Sequence, residues 1–207
     1  MYKLYGDRRS GNCYKVQLIL ALRQIPYQWI EVDILKGETR TPEFLEKNPN
    51  GKIPVLELED GSYLWESNAI LNFLAEGSDL LPSEPRLRTQ VLQWQFFEQY
   101  SHEPYVAVAR FIQLYQGRPA EREAEYHCCI SRGYRALQVM EQQLERTPYL
   151  VGGQYSIADI ALYAYTHCAH EGGFSLDEFP AIRAWMERVA SHPRHVPMGQ
   201  VPAGEVQ

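Results

Sequence analysis

The chain has 207 residues, 45% of them hydrophobic and 22% charged, with a formal charge of −6, which is enough apolar material for two modest cores. Divided at residue 80, it carries 9 basic against 12 acidic residues before that point and 11 against 14 after it, so neither half offers the basic surface expected of a partner for nucleic acid or an anionic membrane. No apolar run approaches the ~18 residues of a membrane helix, and the four cysteines (Cys13, Cys128, Cys129, Cys168) form neither a Cys-x-x-Cys nor a Cys/His zinc spacing. The N-terminus also lacks a signal-peptide layout, so the expectation is a soluble cytoplasmic protein with reduced thiols and no metal site.

Tyr2 to Tyr5 is short, aromatic and alternating, a first strand closed by the polar loop Gly6 to Asn12. A helix follows from about Asn12 to Gln24, with Val16, Leu18, Ile19, Leu20 and Leu22 on a wide apolar face and Pro26 as its stop. Tyr27 to Ile34 alternates again and reads as a second strand; strand, helix, strand implies parallel pairing through a right-handed crossover. Pro42 suits the first position of a short helix through Lys47. Val55 to Leu58 and Ser62 to Trp65 flank Asp60-Gly61, a strong hairpin signal, and an apolar helical run continues to Ala75. The pattern is β-α-β-α-β-β-α over residues 1–78.

Two prolines in Gly77 to Pro85 break all periodicity, so residues 79–85 read as a linker. No strand pattern reappears in the second domain, 86–207. Arg86 to Gln116 predicts one long helix kinked near Pro104, and Glu121 to Arg146 a second. Ser156-Ile-Ala-Asp159 is a capping-box start for a helix to about His170, which assigns Ser156 and Asp159 to folding. Pro180 opens a last helix to Ala190, and the tail after Ser191 is expected to be loose.

The hairpin carries the chemistry. Pro54 opens its strand, and an X-Pro bond is where a cis peptide costs little; a cis Ile53–Pro54 bond would leave the Ile53 backbone as an unpaired edge. Ser67 reads as a helix N-cap, but Ile70 stands three residues on in place of Glu or Gln, so the helix start keeps N–H donors for a carboxylate. Glu66 adds an acid suited to an ammonium group.

In this order and spacing, these residues resemble the cytosolic glutathione S-transferase family, and the likeness covers nearly the whole chain. It implies an α+β, thioredoxin-like N-terminal domain followed by an all-α helical-bundle C-terminal domain. It also implies glutathione as co-substrate. Ile53, beside cis Pro54, would pair its backbone with the cysteinyl unit, and Glu66 and Ser67 would grip the γ-glutamyl end. Lys52 would meet the glycyl carboxylate, and Thr39 falls where relatives carry Gln or His.

A free thiol has a pKa near ~8.5, and lowering it by ~2 units, about 2.7 kcal/mol, makes the thiolate the majority species at neutral pH. One or two hydrogen bonds to the charged sulfur, ~1.5–3 kcal/mol each, are sufficient. Ser10, in the loop where family members carry Tyr, Ser or Cys, is the expected donor, and the bacterial Ser-bearing type of loop implies a second contact from Asn12. The alternative is that Ser10 and Asn12 only cap the first helix, with Tyr14 or Tyr5 supplying the hydroxyl. Cys13, in the first turn of that helix, is a rival centre for disulfide exchange.

An electrophile pocket is expected between the domains from Tyr100, His102, Tyr105, Arg110, Phe111 and Tyr115, which suit flat or anionic co-substrates. The first functional expectation is a glutathione transferase acting on small electrophiles or peroxides. The alternatives are a glutathione-dependent disulfide oxidoreductase and a non-catalytic glutathione-binding or partner-docking module. The resemblance implies a homodimer; neither nucleic acid nor membrane is an expected partner.

Overall fold

A computed structural model describes residues 1–200 and divides the chain into two compact units, Met1–Glu76 joined by the segment from Pro193, and Gly77–His192. In the first unit β1 (Tyr2–Gly6), β2 (Tyr27–Glu31), β3 (Val55–Glu57) and β4 (Tyr63–Trp65) form one sheet in the order β2-β1-β3-β4. β1 runs parallel to β2 and antiparallel to β3, with Leu4 opposite Trp29 on one side and Leu56 on the other. The β3–β4 hairpin turns at Asp60-Gly61: Gly61 takes φ 84°, and Asp60 accepts from the Ser62 backbone N–H and hydroxyl.

Helix α1 (Gly11–Arg23) buries Val16, Leu18, Ile19 and Leu20 completely and packs against α3 (Ser67–Ala75), whose Ile70 and Leu71 are equally buried. α2 (Pro42–Leu45) starts at a proline and is capped by Thr41. The second strand is shorter than its alternation predicts. Asp33 caps a 3₁₀ turn over Ile34–Lys36 by accepting from the Leu35 and Lys36 amides, and this local side-chain bonding competes with the strand ladder.

The second unit is helical. α4 (Pro85–Phe97) passes through a π turn at Glu98–His102 into α5 (Glu103–Arg110), which ends in another π turn at Phe111–Tyr115. The irregularity expected at Pro104 is thus a widened turn just ahead of the residue that lacks an N–H. α6 (Glu123–Leu144), α7 (Ile157–Thr166) and α8 (Pro180–Ala190) complete the unit. Asp159, fully buried, accepts from the Leu150 and Ser156 amides, the Ser156 hydroxyl and the Trp185 indole, each at 2.9–3.0 Å. Burial pushes its carboxyl up to about 6, against the downward pull of those donors.

Two expectations are corrected. The 79–85 stretch is part of the helical unit: Leu81 is buried, and the Ile157 amide donates to the Leu80 carbonyl at 2.9 Å. The segment after Ser191 is ordered on the first unit as far as it is described. Arg194 donates to the Leu22 carbonyl, the Tyr14 hydroxyl to the Val196 carbonyl at 2.8 Å, and Gln17 to the Gln200 carbonyl at 2.8 Å. Its composition gave no sign of this because backbone carbonyls, which any sequence supplies, are the main acceptors.

Candidate glutathione site

Ser10 is the N-cap of α1 and accepts from the Cys13 amide at 3.4 Å. Its own amide donates to the Asp7 carbonyl at 3.0 Å, while buried Asp7 takes the Arg9 amide and pairs with the Arg9 guanidinium. Asp7 is therefore the residue that shapes this loop, and its only sequence signal was the weak one of an Asx turn. Capping and thiol activation are compatible. Ser10 Oγ uses a lone pair for the cap and retains its O–H to donate.

The rival groups are committed elsewhere. Tyr5 donates to Glu57 at 2.6 Å, and burial with that bond pushes its phenol up. Tyr14, almost fully buried, gives its single hydroxyl hydrogen to the Val196 carbonyl. Cys13 is completely buried, with its sulfur so close to Gly6 that a Cβ there would lie 2.7 Å away, and burial pushes the thiol up to about 12. A thiol in that state is neither nucleophile nor ready disulfide partner.

On the hairpin side the Ile53–Pro54 bond is cis, and Ile53 stands outside the strand ladder ahead of β3. The loop before it is built by Asn48, 1% exposed, which donates to the Lys52 carbonyl at 2.7 Å and accepts from the Asn50 amide at 2.9 Å. Sequence reasoning passed over Asn48; the Asn-Pro-Asn-Gly run is the turn signal that pointed to it. Lys52 is exposed, as its proposed role requires, whereas Thr39 is 8% exposed within the 3₁₀ turn Glu38–Arg40 and offers little to a ligand.

At α3 the capping position is corrected by one residue. Glu66 is the N-cap, with φ 69° and ψ 109° and no side-chain bond to the helix, and Ser67 is the first helical residue. The reason is the sharp turn out of β4, which ends one residue earlier at Trp65. The helix start accordingly has no side-chain cap. Ser67 Oγ donates to Asn12 Oδ1 at 3.3 Å and accepts from Lys15 Nζ at 3.4 Å. The first turns of α1 and α3 therefore meet through side chains, with fully buried Lys15 behind them.

The six candidates in the helical unit do not form one wall. His102 is fully buried with its ring on Thr166 Oγ1 at 3.0 Å, and Arg110, 4% exposed, pairs with Glu171. Both are corrected to structural roles, since spacing along a helix does not tell an inward from an outward face when π turns shift the register. Phe111 and Tyr115 stack at 5.2 Å, and Tyr100 is 84% exposed. Tyr105 lines a groove of about 430 Å³ with Phe97, Ser101, Arg132 and Arg135, and accepts from Arg132 at 3.0 Å. Among the described residues no cluster suits a metal, and no helix is long and apolar enough to cross a membrane.

A four-stranded thioredoxin-like unit with a cis-proline hairpin and a serine-capped first helix, joined to a helical unit, defines the class. Residues 9–76 match the family model for the glutathione S-transferase N-terminal domain and residues 95–193 that for its C-terminal domain, so the chain belongs to the glutathione S-transferase family. It is similar to a crystal structure of a glutathione S-transferase from Pseudomonas fluorescens Pf-5 (74% identity, TM-score 0.95, covering 96% of this chain and 99% of that one). It is also similar to the disulfide-bond oxidoreductase YfcG of Escherichia coli K12, with 33% identity over 203 residues, covering 89% of this chain and 88% of that protein. The glutathione transferase URE2P8 from Phanerochaete chrysosporium, solved with oxidized glutathione, matches at 26% identity and a TM-score of 0.82, covering 93% and 90%.

Proposed function

We propose that this chain is a cytoplasmic glutathione transferase that activates the bound thiol by hydrogen bonding and directs it at small electrophiles or peroxides. The observation that carries the reading is the contact of Asn12 with Ser67, two residues after the N-cap Ser10, while the hydroxyls of Tyr5 and Tyr14 are engaged elsewhere and Cys13 is buried. In this reading Glu66 holds the γ-glutamyl ammonium, and the backbone amides at the start of α3, that of Ser67 among them, hold its carboxylate. Ile53 pairs with the cysteinyl backbone beside Pro54, and Lys52 meets the glycyl carboxylate. Thr39, being buried, contributes at most a backbone wall. Ser10 Oγ–H and the Asn12 amide then donate to the sulfur, and the thiol proton leaves to water. The thiolate adds to the electrophilic carbon or displaces its leaving group as the S–C bond forms; with a peroxide it takes the outer oxygen as the O–O bond breaks and an alcohol leaves, and a second glutathione thiol then displaces water from the sulfenic acid to give glutathione disulfide.

The test is the ultraviolet thiolate absorption of bound glutathione, titrated from pH 5 to 9. A midpoint well below ~8.5 is expected, and Ser10→Ala should raise it by about one to two units, the worth of one hydrogen bond to a charged atom. Binding with an unshifted midpoint would indicate a holder of glutathione.

Similarity to the Escherichia coli oxidoreductase favours a second reading, reduction of glutathione-accessible disulfides. With Cys13 buried, the attacking sulfur in that case is the bound glutathione thiolate, which forms a mixed disulfide with one sulfur and releases the other as a thiolate. Cys13→Ser should retain any such activity. We also propose a homodimer. Leu92, Phe96, Tyr100 and Val139 are large, exposed and carried by α4, the adjoining π turn and α6, a surface suited to a second copy. Light scattering that finds a monomer at micromolar concentration would overturn it.

A further inference from the structure

Asn48 is 1% exposed, and a buried side-chain amide must find partners for both its oxygen and its nitrogen or destabilise the fold. Here both are spent on the backbone of the next four residues. Nδ2 donates to the Lys52 carbonyl at 2.7 Å, and Oδ1 accepts from the Asn50 amide at 2.9 Å. These partners also fix which way round the amide lies, since a carbonyl can only accept and an N–H can only donate. The residue is tied to the end of α2 as well, its main-chain N–H donating to the Phe44 carbonyl at 3.0 Å. The turn itself does not need the Lys52 bond, because the Gly51 amide already closes it on the Asn48 carbonyl at 2.9 Å.

The consequence of the Lys52 bond lies in the next peptide plane. The Lys52–Ile53 bond is trans, so its C=O and N–H point in opposite directions. With the Lys52 carbonyl drawn in to buried Asn48, the Ile53 N–H faces the other way. The far side of the plane is anchored too, because the Ile53 side chain packs against the cluster of Val32, Phe44 and Val55. Among the described residues no group accepts from the Ile53 amide. A donor held outward at both ends and spent on nothing in its own chain suits an acceptor brought by a ligand.

We propose that Asn48 is a positioning residue for the cysteinyl unit of glutathione: by holding the Lys52 carbonyl inward it keeps the Ile53 N–H outward, as a donor to the cysteinyl carbonyl. Without that bond the Lys52–Ile53 plane can rotate as one rigid unit about the single bonds on either side of it, and the ligand loses its donor. The inference rests on the glutathione reading given above and extends it to a buried residue with no expected contact with glutathione. A thiol not carried on a peptide would gain nothing from the arrangement.

The test uses S-methylglutathione, which has no thiol to ionise, and follows two backbone amide protons by NMR. Ile53 reports the proposed donor, and Ser67 reports the carboxylate at the start of α3. In wild type both should move downfield at saturation, and solvent exchange of the Ile53 amide, fast in the free protein, should slow by about tenfold. Asn48→Ala should weaken binding by about tenfold, the loss of one hydrogen bond to the ligand. At saturation it should shift Ser67 as in wild type and leave Ile53 unmoved. A wild-type response of Ile53 in Asn48→Ala would overturn the proposal, as would an equal loss of both shifts, which would mean that the whole site is disturbed. An Ile53 amide already protected in free wild type would overturn it without any variant. Should Asn48→Ala fail to fold, Asn48→Asp keeps the volume and the acceptor for Asn50, removes the donor to Lys52, and must show the same selective loss at Ile53. Wild type that binds no S-methylglutathione removes the reading and the proposal together, whereas binding that shifts Ser67 and not Ile53 removes the proposal alone.

Discussion

Glu66 takes φ 69° and ψ 109°, a region that residues with a Cβ rarely occupy, while its side chain is exposed and bonds to nothing in its own helix. Such a backbone costs about 1–3 kcal/mol and persists where the surroundings fix it. Here the strained residue is also the proposed partner of the γ-glutamyl ammonium. Glu66→Gly should remove most of the strain. Against that gain stands the greater freedom of glycine in the unfolded chain, about 0.5–1 kcal/mol. The net is a stabilisation of about 1 kcal/mol, a rise of roughly 2–4 °C in melting temperature for a chain of this size. Loss of the carboxylate should weaken glutathione binding about tenfold, the worth of one charge-assisted contact. Glu66→Ala separates the two effects, since it removes the carboxylate and keeps the strained Cβ. The assays are thermal unfolding by circular dichroism and calorimetric titration with glutathione. If Glu66→Gly melts below wild type, the strain argument is wrong. If it melts higher and binds glutathione as well as wild type does, the strain is not held for that ligand.

Asp159→Ala leaves four buried donors without their acceptor and should cost about 3–5 kcal/mol, read as early loss of helical signal on heating; a change within 1 kcal/mol would contradict the geometry. Because burial lifts the Asp159 carboxyl to about 6 in the folded chain, that chain keeps a proton which the unfolded chain loses near pH ~3.9. The contribution of this group to stability is therefore complete below about pH 4, falls as pH rises to about 6 and is flat above that. The difference in melting temperature between wild type and Asp159→Asn should follow that course. Cys13, held at about 12, should resist iodoacetamide up to pH 9 in the folded protein while exposed Cys128 reacts, as mass spectrometry of digests would report. Tyr14→Phe deletes the hydroxyl that holds the Val196 carbonyl and should raise amide exchange around that residue by about fivefold, one neutral hydrogen bond's worth, without changing the glutathione midpoint.

The parts legible in the sequence were those in which one residue type has one physical reading. Asp60-Gly61 marked a hairpin and Ser156 with Asp159 a capping box, and each stands where its chemistry put it; the cis Ile53–Pro54 bond was legible only through the family resemblance, since an X-Pro bond permits cis without requiring it. Single-residue positions failed where backbone geometry decides. Ser67 has every property of an N-cap, yet the positive φ of Glu66 turns the chain one residue earlier. Side-chain direction on the long helix was not legible for a related reason: the π turn at Glu98–His102 shifts the register of the residues from His102 to Arg110, and no periodicity shows a π turn. Lys15 and Asn48 were missed because a lysine in a helix and an asparagine in a loop are normally solvated, and only burial distinguishes these two.

The fate of the helix starts accounts for the placement of the site. An unpartnered helix N-terminus carries N–H donors and roughly half a positive charge, which most of these helices neutralise with their own carboxylates. α2 has Glu43 in its first turn, α6 has Glu123 and Glu125, and α7 has Asp159. Glu84 accepts from the first amides of α4, and Glu141, reaching across from α6, accepts from the Ala181 and Ile182 amides of α8. α1 and α3 differ: neither has an acid in its first turn, α1 is capped by a neutral serine, and the one acid at the start of α3, Glu66, makes no side-chain bond there. These are the two helices whose first turns meet through Asn12 and Ser67 with Lys15 behind them. In a chain of net charge −6 this is, among the described residues, a place where two helix starts and a buried lysine converge. An anionic sulfur beside an α-carboxylate is the ligand that such a field would hold, and glutathione presents both.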